Sequence, residues 1–134
     1  MDKMELFDIL TKEIEKAEIE NVEYVKGNYG KANRKTKTIR IPHPKTLITL
    51  ATGLHEVAHI HVGNVKPQYY QEFLCEMWVQ EKFKEYGIEV PWKVECNQKN
   101  YVAYRVRVSL RRRKKNFEVH PAVKEFCGDL IDKY

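Results

Sequence analysis

Residues 54 to 60 read Leu54-His55-Glu56-Val57-Ala58-His59-Ile60, and this stretch decides how the rest of the chain can be arranged. It lies within a largely apolar segment, from Lys45 to about Val62, that predicts a helix ended by Gly63-Asn64. Residues four apart lie on one face of an α-helix, one turn above each other. The two histidines therefore lie side by side, and Glu56 lies one position round from the first of them.

Two imidazoles on one helix face can bind a single zinc ion at about 2.0–2.1 Å. The glutamate beside them can take a proton from the attacking water and pass it to a leaving amine. The flanking residues are mostly apolar, so the helix is expected to be buried, and buried histidines need a hydrogen-bond partner or a metal. The sequence therefore predicts a Zn²⁺ site with His55 and His59 as ligands and Glu56 as the catalytic base. The alternative is a pair of hydrogen-bonded core histidines.

A catalytic zinc site has three protein ligands, so one more is expected from another element. The helix predicted after Pro67, at about residues 68–86, carries Glu72 and Glu76 one turn apart on one face. Glu76 falls within the apolar stripe expected to face the core, and Glu72 falls nearer its edge. We therefore expect Glu76 to be the third ligand, with Glu72 as second choice or as a hydrogen-bond partner that orients a histidine ligand. The alternative for both is a surface salt bridge.

The segments around this motif predict an α+β fold. Residues 3–20 have apolar side chains at helical spacing, and residues 21–26 and 36–41 are strand candidates separated by a glycine-containing turn at 27–31. Residues 101–113 are ambiguous, because apolar residues alternate as in a strand, whereas Tyr101, Tyr104 and Val108 also share one helix face. The length suits one domain that spans residues 1–134.

In this setting the motif resembles the minimal gluzincins, HExxH zinc metallopeptidases of the ImmA/IrrE-like type. The resemblance covers about residues 22–87 and is carried by Thr38-Ile39-Arg40-Ile41, Leu54-His55-Glu56-Val57-Ala58-His59 and Glu72-Phe73-Leu74-Cys75-Glu76-Met77-Trp78. It implies a minimal zincin-like domain, with a short antiparallel or mixed sheet packed on the HExxH helix and further helices. It also implies that Glu76, in the place of the family's E-A-N or E-A-E motif, is the third ligand, and it favours a helix at 101–113.

The function that the resemblance implies is hydrolysis of a peptide bond in a protein substrate, such as a regulatory or DNA-bound protein of a phage or mobile element. The strand at 36–41 is expected to pair with an extended substrate by strand addition. A donor to the oxyanion is also expected. Tyr101, Tyr104 and Arg105 are candidates for it, although no spacing argument supports them.

Positive charge is concentrated in one segment. The chain carries a formal net charge of +5, but residues 97–117 contain eight basic and no acidic residues. Such a segment can contact nucleic acid or an acidic partner, and it can equally be a solvated turn. The candidate contact residues are Arg105, Arg107, Arg111, Arg112, Arg113, Lys114 and Lys115. The alternative function is therefore a zinc-stabilised module that binds nucleic acid or protein without turnover.

The remaining features concern the cellular setting. No apolar run approaches the roughly 20 residues of a membrane span, and the polar N-terminus does not resemble a signal peptide. The three cysteines form neither a CxxC pair nor a disulfide framework. A reducing cytoplasm with no membrane partner is expected.

Overall fold

The computed structural model describes residues 1–112 and 118–133 of the chain. Arg113, Lys114 and Lys115 of the basic segment lie outside the described residues. The elements within those residues are α1 (Lys3–Lys16), β1 (Asn21–Val25), β2 (Lys31–Asn33), β3 (Thr38–Pro42), α2 (Leu47–Val62), α3 (Gln68–Glu85), α4 (Trp92–Arg112), α5 (Pro121–Cys127) and a 3-10 helix (Gly128–Lys133). The predicted α+β class is confirmed.

The three strands form a mixed sheet in the order β1-β3-β2. β1 runs parallel to β3, and β2 runs antiparallel to it. Ile39 and Ile41 of β3 are fully buried, whereas Arg40 between them is exposed and pairs with Glu23 of β1. The sheet therefore has one apolar face, and that face belongs to the same core as α1 and α2.

Because β3 is paired on both sides, it has no free edge for another chain. The expectation that the strand at 36–41 pairs with a substrate is therefore wrong. The edge nearer α2 is β2, a strand that the sequence did not reveal because its three residues, Lys31–Asn33, are too few to show an alternating pattern.

The motif helix α2 has well-defined ends. Thr46 accepts a hydrogen bond from the backbone N–H of Thr49, and the Thr49 hydroxyl accepts one from the Thr46 backbone in return. This reciprocal capping satisfies two backbone donors at the start of the helix. Gly63, with a φ of 81°, ends it. Gly53 allows α1 to approach closely, because a Cβ there would lie 3.2 Å from Leu10.

Two apolar clusters flank the motif helix and its neighbour α3. The first joins α1, β3, α2 and the C-terminal half of α3, where Val79 and Phe83 are buried. The second joins the N-terminal half of α3, through Tyr69 and Phe73, to α4 and α5. α3 thus serves both clusters and holds the two parts of the chain together.

Two helices differ in extent from the sequence predictions. α1 ends at Lys16 rather than near residue 20, since Glu18 adopts a positive φ of 55° that stops the helix. α4 is one continuous helix from Trp92, so residues 101–112 form its C-terminal half and are not a separate element. Val102, Ala103 and Val106 are buried against α3 and α5. The helical alternative for residues 101–112 is therefore the right one.

A buried ion cluster joins α1 to the end of α3. Glu13 is 2% exposed, accepts a hydrogen bond of 2.6 Å from the Tyr86 hydroxyl and lies 3.3 Å from Lys82 Nζ. Burial raises the pKa of Glu13, but hydrogen bonds from Tyr86, Lys16 and Lys82 outweigh it, and the pKa is lowered overall. A depressed folded-state pKa stabilises the fold above the unfolded value near 4.5, and this stabilisation is lost as the pH falls through the folded value.

We expect Glu13→Gln to lower the free energy of unfolding at pH 7 by about 1–3 kcal/mol, because Lys82 loses its buried carboxylate. The difference from wild type should shrink as the pH falls below 4.5 and through the lowered pKa of Glu13, because the wild-type carboxylate then becomes protonated too. Urea unfolding at pH 7 and over this acid range measures the difference. Glu85→Gln, which removes the exposed partner of the same lysine, is the matched control, and an equal loss in both variants would argue against a role for the buried carboxylate.

No helix in the described ranges combines the length and the apolar character needed to cross a membrane.

Candidate metal centre

The two motif histidines lie as their spacing predicts. The ring centroids of His55 and His59 are 4.8 Å apart, and the rings meet edge to face. His55 is 9% exposed and belongs to the buried face of α2. Across from them, α3 presents Glu72 and Glu76, both buried. The site is thus formed between the two helices that have the most extensive contact in the fold.

Glu72 lies between the two imidazoles. Its Oε1 atom is 3.0 Å from His59 Nε2 and 3.4 Å from His55 Nε2, and it accepts a hydrogen bond of 3.0 Å from the Tyr101 hydroxyl. One ligand atom from each of His55, His59 and Glu72 lies within 4.8 Å of the other two. These three residues therefore form the group that could hold a metal ion.

Glu76 lies on the other side of the His55 ring. Its Oε1 atom is 2.8 Å from His55 Nδ1, and Gln98 donates a hydrogen bond to its backbone oxygen. An ionised carboxylate only accepts hydrogen bonds, so Nδ1 carries the proton. The geometry thus places Glu72, the second choice from the sequence, among the possible ligands. It places the first choice, Glu76, where it orients a histidine.

The donor set fits a divalent cation. Two imidazole nitrogens and one carboxylate oxygen are a common ligand set for zinc. The second oxygen of Glu72, Oε2, is buried without a hydrogen-bond partner among the described residues, and such an atom is costly to bury unless something compensates it. The same site favours a positive charge at His55, between two carboxylates.

The pKa shifts of His55 and Glu72 also favour a positive charge at the centre. Burial lowers the pKa of His55, but the charges and hydrogen bonds of Glu76 and Glu72 outweigh it, and the pKa is raised well above its usual value. Burial raises the pKa of Glu72, but hydrogen bonds from His55 and His59 outweigh it and hold the pKa well below its usual range. A cation at the Nε2 atoms would replace the proton that the carboxylates attract there.

Glu56 lies beside the cluster and is held by a close backbone approach. It is 8% exposed, and burial is the main cause of its raised pKa. Gly30, just before β2, lies so close that a Cβ there would be 2.6 Å from Glu56 Cγ and 2.9 Å from its Oε2. The residue that precedes the edge strand β2 is therefore packed against the predicted catalytic base.

A cavity of about 640 Å³ opens over this centre. Its lining includes residues in and next to β2, among them Gly30, Ala32 and Arg34. Gln68 of α3 and Asn97 and Tyr101 of α4 also line it. The two motif histidines and the three glutamates line the same cavity, so a ligand in it would reach both the possible metal position and Glu56.

Of the three oxyanion candidates, the structure brings one to the site. The Tyr101 hydroxyl contacts Glu72, and its ring lies edge to face against His55 at 5.8 Å. Tyr104 and Arg105 do not line the cavity, and Arg105 Nε is buried without a hydrogen-bond partner in the described part of the chain. Val94, Gln98 and Tyr101 share one face of α4, so a helical assignment from the sequence could have found Tyr101.

The four basic candidates that the structure describes lie on α4 and differ in exposure. Arg105 and Arg107 are half-buried and two positions apart, so they point to different sides of α4. Arg111 and Arg112 are exposed at its C-terminal end, and Arg111 lies one turn from Arg107 on the same face. Among these four, Arg111 and Arg112 are therefore the exposed pair.

Comparison of the chain with protein-family models, curated proteins and solved structures gives no match. The resemblance to ImmA/IrrE-like peptidases therefore stays a prediction carried by the motif residues.

Proposed function

We propose that this protein is a zinc-dependent metallopeptidase. The observation that carries the proposal is the position of His55, His59 and Glu72 around one point in an open cavity, with the Glu56 carboxylate beside them. Zinc is the metal that suits a site of two imidazoles and one carboxylate. When bound, it would polarise the scissile carbonyl and lower the pKa of a water molecule towards about 7.

His55, His59 and Glu72 would hold the ion, and Glu76 keeps His55 in the productive form. Because Glu76 accepts the Nδ1 proton, the Nε2 lone pair of the neutral ring points towards His59 and Glu72. A carboxylate in this position also makes the imidazole a better ligand. Gln98 bonds the backbone oxygen of Glu76 and supports that arrangement from α4.

Glu56 would accept the proton of the attacking water at its carboxylate and deliver it to the leaving amine. Burial raises the pKa of Glu56, and a carboxylate with a raised pKa is a stronger base. A proton-transfer group works best when its pKa lies near the working pH, so this shift suits Glu56 to the role. Tyr101 would turn its single hydroxyl hydrogen from Glu72 to the carbonyl oxygen of the scissile bond as negative charge develops there. Burial, followed by the charge of Glu72, raises the pKa of Tyr101, so the phenol stays protonated and able to donate.

The free edge of β2 would hold the substrate. β2 is bonded to β3 on one side, and its residues line the cavity. An extended peptide that adds to this edge would lie along the cavity that Tyr101 also lines. The proposed substrate is therefore an unfolded or extended segment of a protein.

The test combines metal analysis with cleavage of an unfolded protein. We expect elemental analysis to find about one zinc per purified chain. We also expect the protein to cleave a denatured, reduced substrate protein, and mass spectrometry detects the products. Removal of zinc by a chelator should lower the rate at least about 100-fold, and stoichiometric zinc should restore it, because the metal and Glu56 act together. A folded protein that binds zinc but cleaves no denatured protein would favour the binding module without turnover.

The second candidate function, contact with nucleic acid or an acidic protein, is favoured by the exposed Arg111 and Arg112 at the end of α4. Binding through phosphate contacts should weaken steeply between about 50 and about 200 mM salt. Fluorescence anisotropy with a DNA duplex measures this, and the Arg111→Gln, Arg112→Gln double variant should bind more weakly. No binding at low salt would eliminate this function.

A further inference from the structure

We propose that Arg34 is a specificity residue that selects substrates carrying a carboxylate close to the scissile bond. This inference rests on the peptidase proposed above and names the chemical class of its substrates. It starts from an arginine that the sequence did not single out and that no part of the catalytic scheme uses.

A hydrogen bond to the backbone of His59 holds the Arg34 side chain at the metal centre. It directly follows β2, and its Nε atom donates a hydrogen bond of 2.9 Å to the backbone oxygen of His59. A guanidinium has five N–H donors, and this bond uses one of them. Arg34 forms no salt bridge within the described residues, and it lines the cavity. The terminal nitrogens of a positioned guanidinium are therefore available to a ligand.

The charges around the cavity favour an anion at this point. The acidic lining residues, Glu56, Glu72 and Glu76, belong to the metal centre, where a divalent ion would offset two of their charges. Lys31 is the other basic lining residue, but it pairs with Arg40 in the sheet. Its side chain should therefore lie on the sheet face of Arg40, opposite the apolar face of Ile39. Arg34 is left as the cation that faces the ligand.

A carboxylate is the partner that this group fits best. The planar fork of arginine binds a carboxylate with two parallel hydrogen bonds, which neutral amide side chains cannot reproduce. Since Arg34 is bonded to the backbone of a metal-ligand residue, its free nitrogens lie within roughly 10 Å of the metal position, about three residues of extended chain. The carboxylate can be an Asp or Glu side chain or the C-terminus of a peptide, and the experiment separates the two.

The experiment is cleavage profiling on a library of peptides with free and with amidated C-termini, using zinc-loaded wild type, Arg34→Met and Lys35→Met. Both variants remove one positive charge just after β2, and the exposed Lys35 does not line the cavity. We expect wild type and Lys35→Met to favour a carboxylate at one fixed position. Arg34→Met should lose that preference, with kcat/KM for acidic peptides lowered about 10- to 100-fold and kcat/KM for neutral peptides retained.

The two sources of carboxylate give different profiles. Enrichment of Asp and Glu that survives amidation identifies a side chain, whereas loss of cleavage on amidation identifies the terminal carboxylate. Zinc content and Tm of each variant show whether it is folded. Arg34→Gln can keep a hydrogen bond to His59 without the charge, and it should behave as Arg34→Met does if the charge is what matters.

A second arm separates this inference from the peptidase proposal. Equilibrium binding of a fluorescent Glu-containing peptide and of its Gln counterpart to zinc-loaded protein needs no turnover. If nothing is cleaved but wild type prefers the acidic peptide and Arg34→Met does not, the carboxylate site stands and the peptidase proposal fails. If wild type and both Arg34 variants show the same preferences in cleavage and in binding, the role of Arg34 is overturned.

Discussion

We expect Glu72→Gln to purify without stoichiometric zinc and without peptidase activity, whereas Glu76→Gln retains about one zinc per chain. The reason is the different place of the two carboxylates around His55. Glu72 Oε1 faces the Nε2 atoms of both histidines, and Glu76 faces only the Nδ1 atom of one. Loss of a ligand removes the third bond of the site, while loss of an orienting carboxylate weakens metal affinity about 10- to 100-fold.

Elemental analysis and competition with a zinc-binding dye measure both effects. The substitutions are matched, since each replaces a buried glutamate of α3 with its isosteric amide, one helical turn apart. Thermal unfolding of the metal-free proteins checks that both variants fold. If Glu76→Gln lost the metal and Glu72→Gln kept it, Glu76 would be the ligand, as the position in the apolar stripe of α3 first indicated.

The second large effect is expected at Glu56 and, through it, at Gly30. Glu56→Gln should keep zinc and lower kcat by about 10²–10⁴-fold, because an amide cannot accept the proton of the attacking water. Gly30→Ala should lower kcat in the same direction, since its Cβ would fall 2.6 Å from Glu56 Cγ and force the side chain to move. Neither change touches a proposed metal ligand, so zinc content should be unchanged.

The double variant makes this prediction specific. If Gly30→Ala acts by displacing Glu56, adding it to Glu56→Gln should cause no further loss of kcat. A general loss of stability would instead lower the activity of both backgrounds equally and would appear in Tm. Full activity of Gly30→Ala would show that the backbone before β2 shifts to make room for the added Cβ. In that case Gly30 does not position Glu56.

The sequence revealed the parts of the site that lie on one helix. His55, Glu56 and His59 are related by helical spacing alone, and the apolar flanks of α2 already indicated that they are buried. The choice between Glu72 and Glu76 depends instead on how α3 is rotated against α2. Both glutamates are buried on α3, whose N-terminal half packs in one apolar cluster and whose C-terminal half packs in the other, so the apolar stripe alone does not decide between them.

Gly30 and Arg34 were not predicted because their roles exist only through tertiary contacts. Gly30 lies in a segment whose composition is that of an ordinary turn. Nothing in that segment indicates that Glu56, 26 positions later, packs against it. Arg34 reaches the backbone of His59 across 25 positions. Gly30 and Arg34 flank the three-residue strand β2, which positions both of them at the cavity. A strand of three residues is too short to show an alternating pattern, so the sequence did not predict it.

The pairing of α4 with α5 has a consequence for shortening the chain. The motif-bearing residues end before residue 90, yet Tyr101 and Gln98 reach the centre from α4. α4 is supported from its far side by Val123 and Cys127 of α5. A chain truncated after Arg112 would expose the buried face of α4 and remove the support of its cavity-lining residues, although His55, His59 and Glu72 would remain. The smallest fragment expected to keep the proposed peptidase activity is therefore larger than the smallest one expected to bind a metal ion.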